Sequence, residues 1–274
     1  MKKVIDVGAL RSPKLETFLA AARTNVAVIT DYAAMECFKG DGNVNVRNSL
    51  SIVSRFPDQV LVLRPTSEIA RLRPRSKGLH SRFVDERQNR GFRNYCKVVL
   101  SGHGDPRAVA FDIYVKEVHA RRHFEKLATN VSVVRNGIAK LASSYPPEGL
   151  KALRARRPIS QSFADRLIDD ILTITAIFFR DQDGLGEMPV LADAIFSLPF
   201  RYALCSYALT VKWISDGGHS TAAAPKLSND FTDMTYAAYA TFFDGLITND
   251  AKLNEIYHTA SWMLREVFSV TRVV

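Results

Sequence analysis

Asp244-Gly245-Leu246-Ile247-Thr248-Asn249-Asp250 decides how this chain is read. A short apolar run follows a glycine, ends in a polar triplet, and leads into helical periodicity over 251–265. That is a buried strand feeding a helix. The other end of the chain has the same grammar. Val4-Ile5 stops at Asp6, and Ser12-Pro13 supplies an N-cap followed by proline at the first helical position. Leu15, Phe18, Leu19 and Ala22 then recur at helical spacing. Val26-Ala27-Val28-Ile29 reads as a second strand, and Thr30 or Asp31 caps a helix that carries Glu36 and stops at Gly40. A helix over 46–56 precedes a third strand at 60–63, and a last strand is expected at 268–273.

Between these ends the pattern changes. Helices are predicted over 81–100, 108–144, 160–180 and 191–215, and a later one from about Asp233 leads to a strand over 245–248. Strands alternating with helices imply a parallel sheet covered by helices. The expected fold class is therefore α/β. Residues 1–64 and 226–274 would form one sheet domain, interrupted by a large, mainly helical insertion over 65–225.

Composition narrows the functional classes. At 274 residues, 47% hydrophobic and 24% charged, the chain has material for a substantial core. Cys37, Cys96 and Cys205 are widely spaced and show no paired ligand spacing. Neither a disulfide framework nor a structural zinc site is expected, which suits a reducing cytoplasm. No secretory signal is read, and the most apolar run, at 171–179, is too short to span a bilayer. No nucleophile elbow, P-loop or dinucleotide fingerprint occurs. His119 and His123 have an i, i+4 spacing but lack the glutamate of a metalloprotease helix. Net charge is +9, and residues 64–107 hold eleven Lys/Arg against four Asp/Glu. Such a segment favours a polyanion. Arg71, Arg73, Arg75, Lys77, Arg82, Arg87, Arg90 and Arg93 are its candidate nucleic-acid contacts. Phe83, Phe92 and Tyr95 lie among them as candidates for base stacking or, more simply, for the core.

Acidic residues carry the chemistry. Asp6 and Asp250 each follow a predicted strand, Glu36 lies early on a helix, and Asp233 opens a late one. Oxygen ligands from distant positions are what Mg²⁺ or Mn²⁺ requires, and a parallel sheet gathers them outside its carboxyl edge. Asp31, Asp230 and Asp244 are supporting candidates. Asp6, Asp31, Asp230, Asp233 and Asp250 also have a plain structural reading, as a strand-end turn or a helix cap, whereas Glu36 lies among apolar neighbours where a lone carboxylate is costly to bury unless it is exposed.

These motifs resemble the PIN-domain nucleases. That family has an Asp ending its first strand, a Glu on an early helix, an Asp starting a late helix, and an Asp in a Thr-Asn-Asp motif. Asp6, Glu36, Asp233 and Thr248-Asn249-Asp250 match these in order. After the first Asp the family usually carries a polar pair, where this chain has Val7-Gly8. The resemblance implies a PIN-like metal-dependent endoribonuclease. Asp6, Glu36, Asp233 and Asp250 would be catalytic metal ligands for Mg²⁺ or Mn²⁺, and Thr248 and Asn249 would position a ligand or phosphate oxygen. RNA is hydrolysed in that chemistry by metal-activated water. Such proteins act as toxins, defence effectors or RNA-processing enzymes. The same acids would also serve a DNA or flap-type nuclease acting on single-stranded or flapped DNA. Outside enzymes, the alternative is a nonenzymatic PIN-like module that binds a partner. A regulatory protein and self-association remain open as partners, and no membrane partner is expected.

Overall fold

Four short strands, all parallel, form a single sheet in the order β3-β2-β1-β4. They are β1 (Lys2–Ile5), β2 (Val26–Ile29), β3 (Val60–Val62) and β4 (Leu246–Ile247). The structure is a computed structural model that describes residues 1–74, 78–102, 105–128, 146–155, 157–181, 185–216 and 224–270. The fold is α/β and mostly helical. In register, Val4 faces Val28 on one side and Leu246 on the other, while Ile29 faces Val62. Val4, Ile5, Ala27 and Val28 are fully buried, as expected of central parallel strands covered on both faces. From β1 the chain moves outward to β2 and β3, and β4 returns on the opposite flank of β1.

Contacts divide the chain into two units: Met1–Ile69 with His80–Lys126 and Phe243–Ala251, and Ala70–Leu79 with Leu127–Phe242 and Lys252–Val274. The first contains the sheet. A 3-10 turn over Val7–Arg11 joins β1 to α1 (Pro13–Ala21), which Ser12 caps by accepting from the Lys14 amide. Thr30, fully buried, caps α2 (Asp31–Glu36) through the Ala33 amide, and Asp41 caps α3 (Gly42–Val53) through the Val44 amide. Gly40, between α2 and α3, sits at φ +80°, a region that glycine occupies without strain. Two short helices follow, α4 (Thr66–Ala70) and α5 (Leu79–Arg82). The helix expected over 81–100 is α6 (Glu86–Ser101), because the Asp85 side chain accepts from the Gln88 amide and fixes a later start. Leu63 bridges antiparallel to Val84 just before that cap. α7 spans Pro106–Ala128, and the rest of the stretch expected to be helical up to 144 lies outside the described residues.

The second unit is helical among its described residues. It holds α8 (Pro147–Arg154), α9 (Gln161–Asp181), α10 (Leu191–Ala194), α11 (Leu198–Asp216) and α12 (Ala224–Ala240). α13 (Ala251–Glu266) starts at the end of the first unit and continues in the second. The helix expected over 191–215 is two helices. The Ser197 hydroxyl accepts from the Phe200 amide and caps a fresh start at α11. α11 packs on α8, α9 and α12, and it buries Phe200, Leu204, Tyr207, Leu209 and Trp213 on several faces. Gly149 on α8 lies directly against the Phe163 ring, where a Cβ would collide. The expected last strand does not form over 268–270. The Phe268 amide bonds back to the Met263 carbonyl, the Val270 amide bonds to Leu264, and Ser269 turns at φ +52°. Residues 271–274 lie outside the described residues. No described helix is long and apolar enough to cross a membrane.

Candidate functional site

The reversal of strand order between β1 and β4 creates a topological switch point, the place where open parallel sheets bind ligands outside their carboxyl ends. Two carboxylates stand there. Asp6 follows β1 directly, and its amide donates to the Ile247 carbonyl at 3.1 Å. Asp250 follows β4 by way of Thr248 and Asn249. Thr248 joins the two: its hydroxyl donates to Asp6 Oδ2 at 2.8 Å and accepts from the Asp250 amide at 2.9 Å. Asn249 ties the same strand end to the neighbouring turn. Its side-chain oxygen accepts from the Ser12 hydroxyl at 3.4 Å, and its amide donates to the Gly8 carbonyl at 3.5 Å. The Gly8 amide in turn donates to Asp6 Oδ1 at 3.3 Å. Thr248 and Asn249 are thus held against the end of β1 and the turn after it, and Asp250 is tied to Thr248.

Asp6 is 8% exposed. Its carboxyl is held above the ordinary 3.8, first by desolvation and further by the negative charge of Asp250. The Thr248 and Gly8 hydrogen bonds oppose the shift without cancelling it. A buried carboxylate beside a second carboxylate favours a proton or a cation. Hard-oxygen chemistry suits Mg²⁺ or Mn²⁺, and Mg²⁺ is commonly held by one or two carboxylates with water and substrate phosphate completing its shell. Asp6 and Asp250 meet that minimum. Among the described residues no set of three or more His, Cys, Asp or Glu side chains gathers as a metal-holding group.

The remaining predicted acids take other places. Glu36 is half-buried in the last turn of α2. Asp31 accepts from the Thr66 amide at 2.7 Å and hydroxyl at 2.6 Å, so it fastens α2 to the chain after β3. Asp244 precedes β4 and accepts from the Lys2 amide at 2.8 Å. It therefore marks the amino edge of the sheet, about 13 Å of strand away from Asp6 at ~3.3 Å per residue. Asp233 does not open a helix but lies inside α12, in the second unit, as does Asp230. Asp230 is 2% exposed, accepts from Trp213 Nε1 at 3.1 Å and pairs closely with Lys252. Lys252 also lies 3.9 Å from Asp233. Nothing in the sequence pairs Lys252 or Trp213 with these acids across such separations.

Of the basic candidates, Arg82, Arg87 and Arg90 are exposed on or beside α6. Arg93 pairs with Asp58 at 2.6 Å. Arg71 and Arg73 are exposed and belong to the second unit, while Arg75 and Lys77 lie outside the described residues. Phe83 and Phe92 are buried and serve the core, while Tyr95 is half-buried with the Lys116 ammonium 4.5 Å from its ring centroid. His119 is exposed, and the His123 side chain lies outside the described residues. Comparisons with protein-family models, curated proteins and solved structures returned no match.

Proposed function

We propose that this chain is a PIN-like, divalent-metal-dependent ribonuclease whose site is the switch point between β1 and β4. The observation that supports this reading best is the coupling of Asp6 and Asp250 through Thr248 at the carboxyl ends of adjacent parallel strands. In this reading Asp6 and Asp250 hold Mg²⁺ or Mn²⁺. The ion, when bound, neutralises phosphate charge and makes water a competent nucleophile at neutral pH. Thr248 holds Asp6 in its acceptor orientation, and Asn249 fixes the strand end. Asp230 and Asp233, engaged by Lys252, are left to the second unit as structural acids. The exposed Arg82, Arg87 and Arg90 supply positive charge for RNA.

The test is cleavage of labelled single-stranded RNA and DNA with Mn²⁺ or Mg²⁺, comparing wild type with Asp250→Asn. The expected result is metal-dependent RNA cutting that the substitution lowers by at least the ~10–100-fold that losing even an outer-shell partner of a metal ligand costs. Preferential cutting of DNA would move the assignment to a DNA or flap-type nuclease. Folded protein that cuts neither substrate, with or without metal, would overturn the enzymatic reading and leave a partner-binding module.

A further inference from the structure

Lys14 is a cation whose position is poor for stability and good for binding phosphate. It occupies the second residue of α1, at the positive end of the helix dipole, where a positive side chain is disfavoured. Glu16, the acid of that first turn, is paired with Arg55 at 2.8 Å. Among the described residues no carboxylate lies within ion-pair distance of Lys14. Its ammonium instead donates to the Thr248 carbonyl at 3.4 Å and remains exposed. Thr248 is the residue whose side chain couples Asp6 to Asp250. The nearby Arg11 contrasts with it. That guanidinium is committed to α3, donating to Asn45 Oδ1 at 3.2 Å and to the Ser49 hydroxyl at 3.3 Å. Two cations thus flank one turn. Arg11 is a strut, whereas Lys14 is an exposed ammonium at the backbone of the acidic site.

We propose that the Lys14 ammonium binds a backbone phosphate of single-stranded RNA beside Asp6 and Asp250. This rests on the ribonuclease reading of that site and adds a substrate-binding residue to it. A point charge with rotatable donors suits a phosphodiester that must be held while its neighbour is cut. It carries no base information, so its effect is uniform across RNA sequences.

The experiment measures binding of a fluorescein-labelled oligouridylate in EDTA, by anisotropy across a salt series, for wild type, Lys14→Gln and Lys14→Arg. Loss of one phosphate contact lowers the slope of log affinity against log salt by about 0.7 for a single strand. Lys14→Gln is expected to show that drop, and Lys14→Arg to restore the slope. With Mn²⁺, Lys14→Gln should raise KM and leave kcat within about twofold. Its melting temperature should be equal to wild type or higher, because a cation has left the positive end of α1. An unchanged slope and KM, a wild type that binds no RNA, or a lowered melting temperature would overturn the inference. The two readings separate cleanly. A slope change in protein that never cuts RNA supports Lys14 and removes the hydrolase. Metal-dependent cutting unaffected by Lys14→Gln does the reverse.

Discussion

Under the proposed function, Asp6 is where stability and metal binding oppose each other in one side chain. Its folded carboxyl holds a proton more tightly than an ordinary aspartate, because it is desolvated and faces Asp250. The folded state therefore binds more protons than the unfolded one just above pH 3.8, and stability falls as pH rises through the shifted range. Above that range the penalty is constant. Asp6→Asn should accordingly raise the metal-free melting temperature at pH 7 by about 2–4 °C, the scale of about 1 kcal/mol in a chain of this size. The gain should vanish below pH 3.8, which thermal melts across pH would show. A divalent cation should remove the same penalty by binding the folded state. At one hundred times its dissociation constant it contributes about 2.7 kcal/mol. Mn²⁺ should raise the melting temperature of wild type and EDTA should reverse the rise, with no response in Asp6→Asn or Asp250→Asn.

Among the elements, the edge strand β3 depends on a helix residue. Asn89 on α6 accepts from the Val62 amide at 3.0 Å and donates to the Val62 carbonyl at 2.8 Å, replacing the missing neighbour strand. An unpaired strand edge is otherwise a template for another chain. Gln59, just before β3, donates to the carbonyls of Leu19, Ala22 and Asn25 and so closes the end of α1. Neither contact follows from local periodicity, since both partners are recruited from other elements. Asn89→Ala should cost about 2 kcal/mol through its three lost hydrogen bonds, to the Val62 amide, the Val62 carbonyl and the Asp85 carbonyl, measured by urea unfolding. It should not change the metal response of the switch point, because β3 lies two strands from β1.

Across the whole chain, buried charge and surface charge play different parts. In the second unit Arg201 is 1% exposed, donates from Nε to the Ile195 carbonyl and stacks on Phe242. Desolvation brings its pKa down to about 9. Asp230, also buried, is neutralised by Lys252. Lys252→Ala should destabilise by about 3 kcal/mol, near the low end for a broken buried pair because Lys252 is itself 23% exposed. The double change Asp230→Asn with Lys252→Met should recover most of that loss, since no lone charge remains buried; a double-mutant cycle of unfolding free energies tests this. If the chain binds RNA as proposed, its net charge of +9 should make that affinity fall steeply with salt while leaving these buried pairs unaffected.

Local sequence was enough for the α/β class, the strand that stops at Asp6, a strand within 245–248, the cap at Ser12 and a cap at Thr30 or Asp31, of which the structure uses Thr30. Each is a local property: short apolar runs, proline after serine, and a hydroxyl at a helix start. Tertiary structure decided which acids share a site. Strand order put β4 beside β1 and so brought Asp250 to Asp6, whereas Asp244, six residues before Asp250, fell at the opposite edge. The placement of Asp233 inside α12 beside Lys252 follows from helix packing in the second unit, as does the burial of Asp230 against Trp213. The physical reason is that a carboxylate's role depends on which charges and donors surround it, and those come from residues far away in the chain.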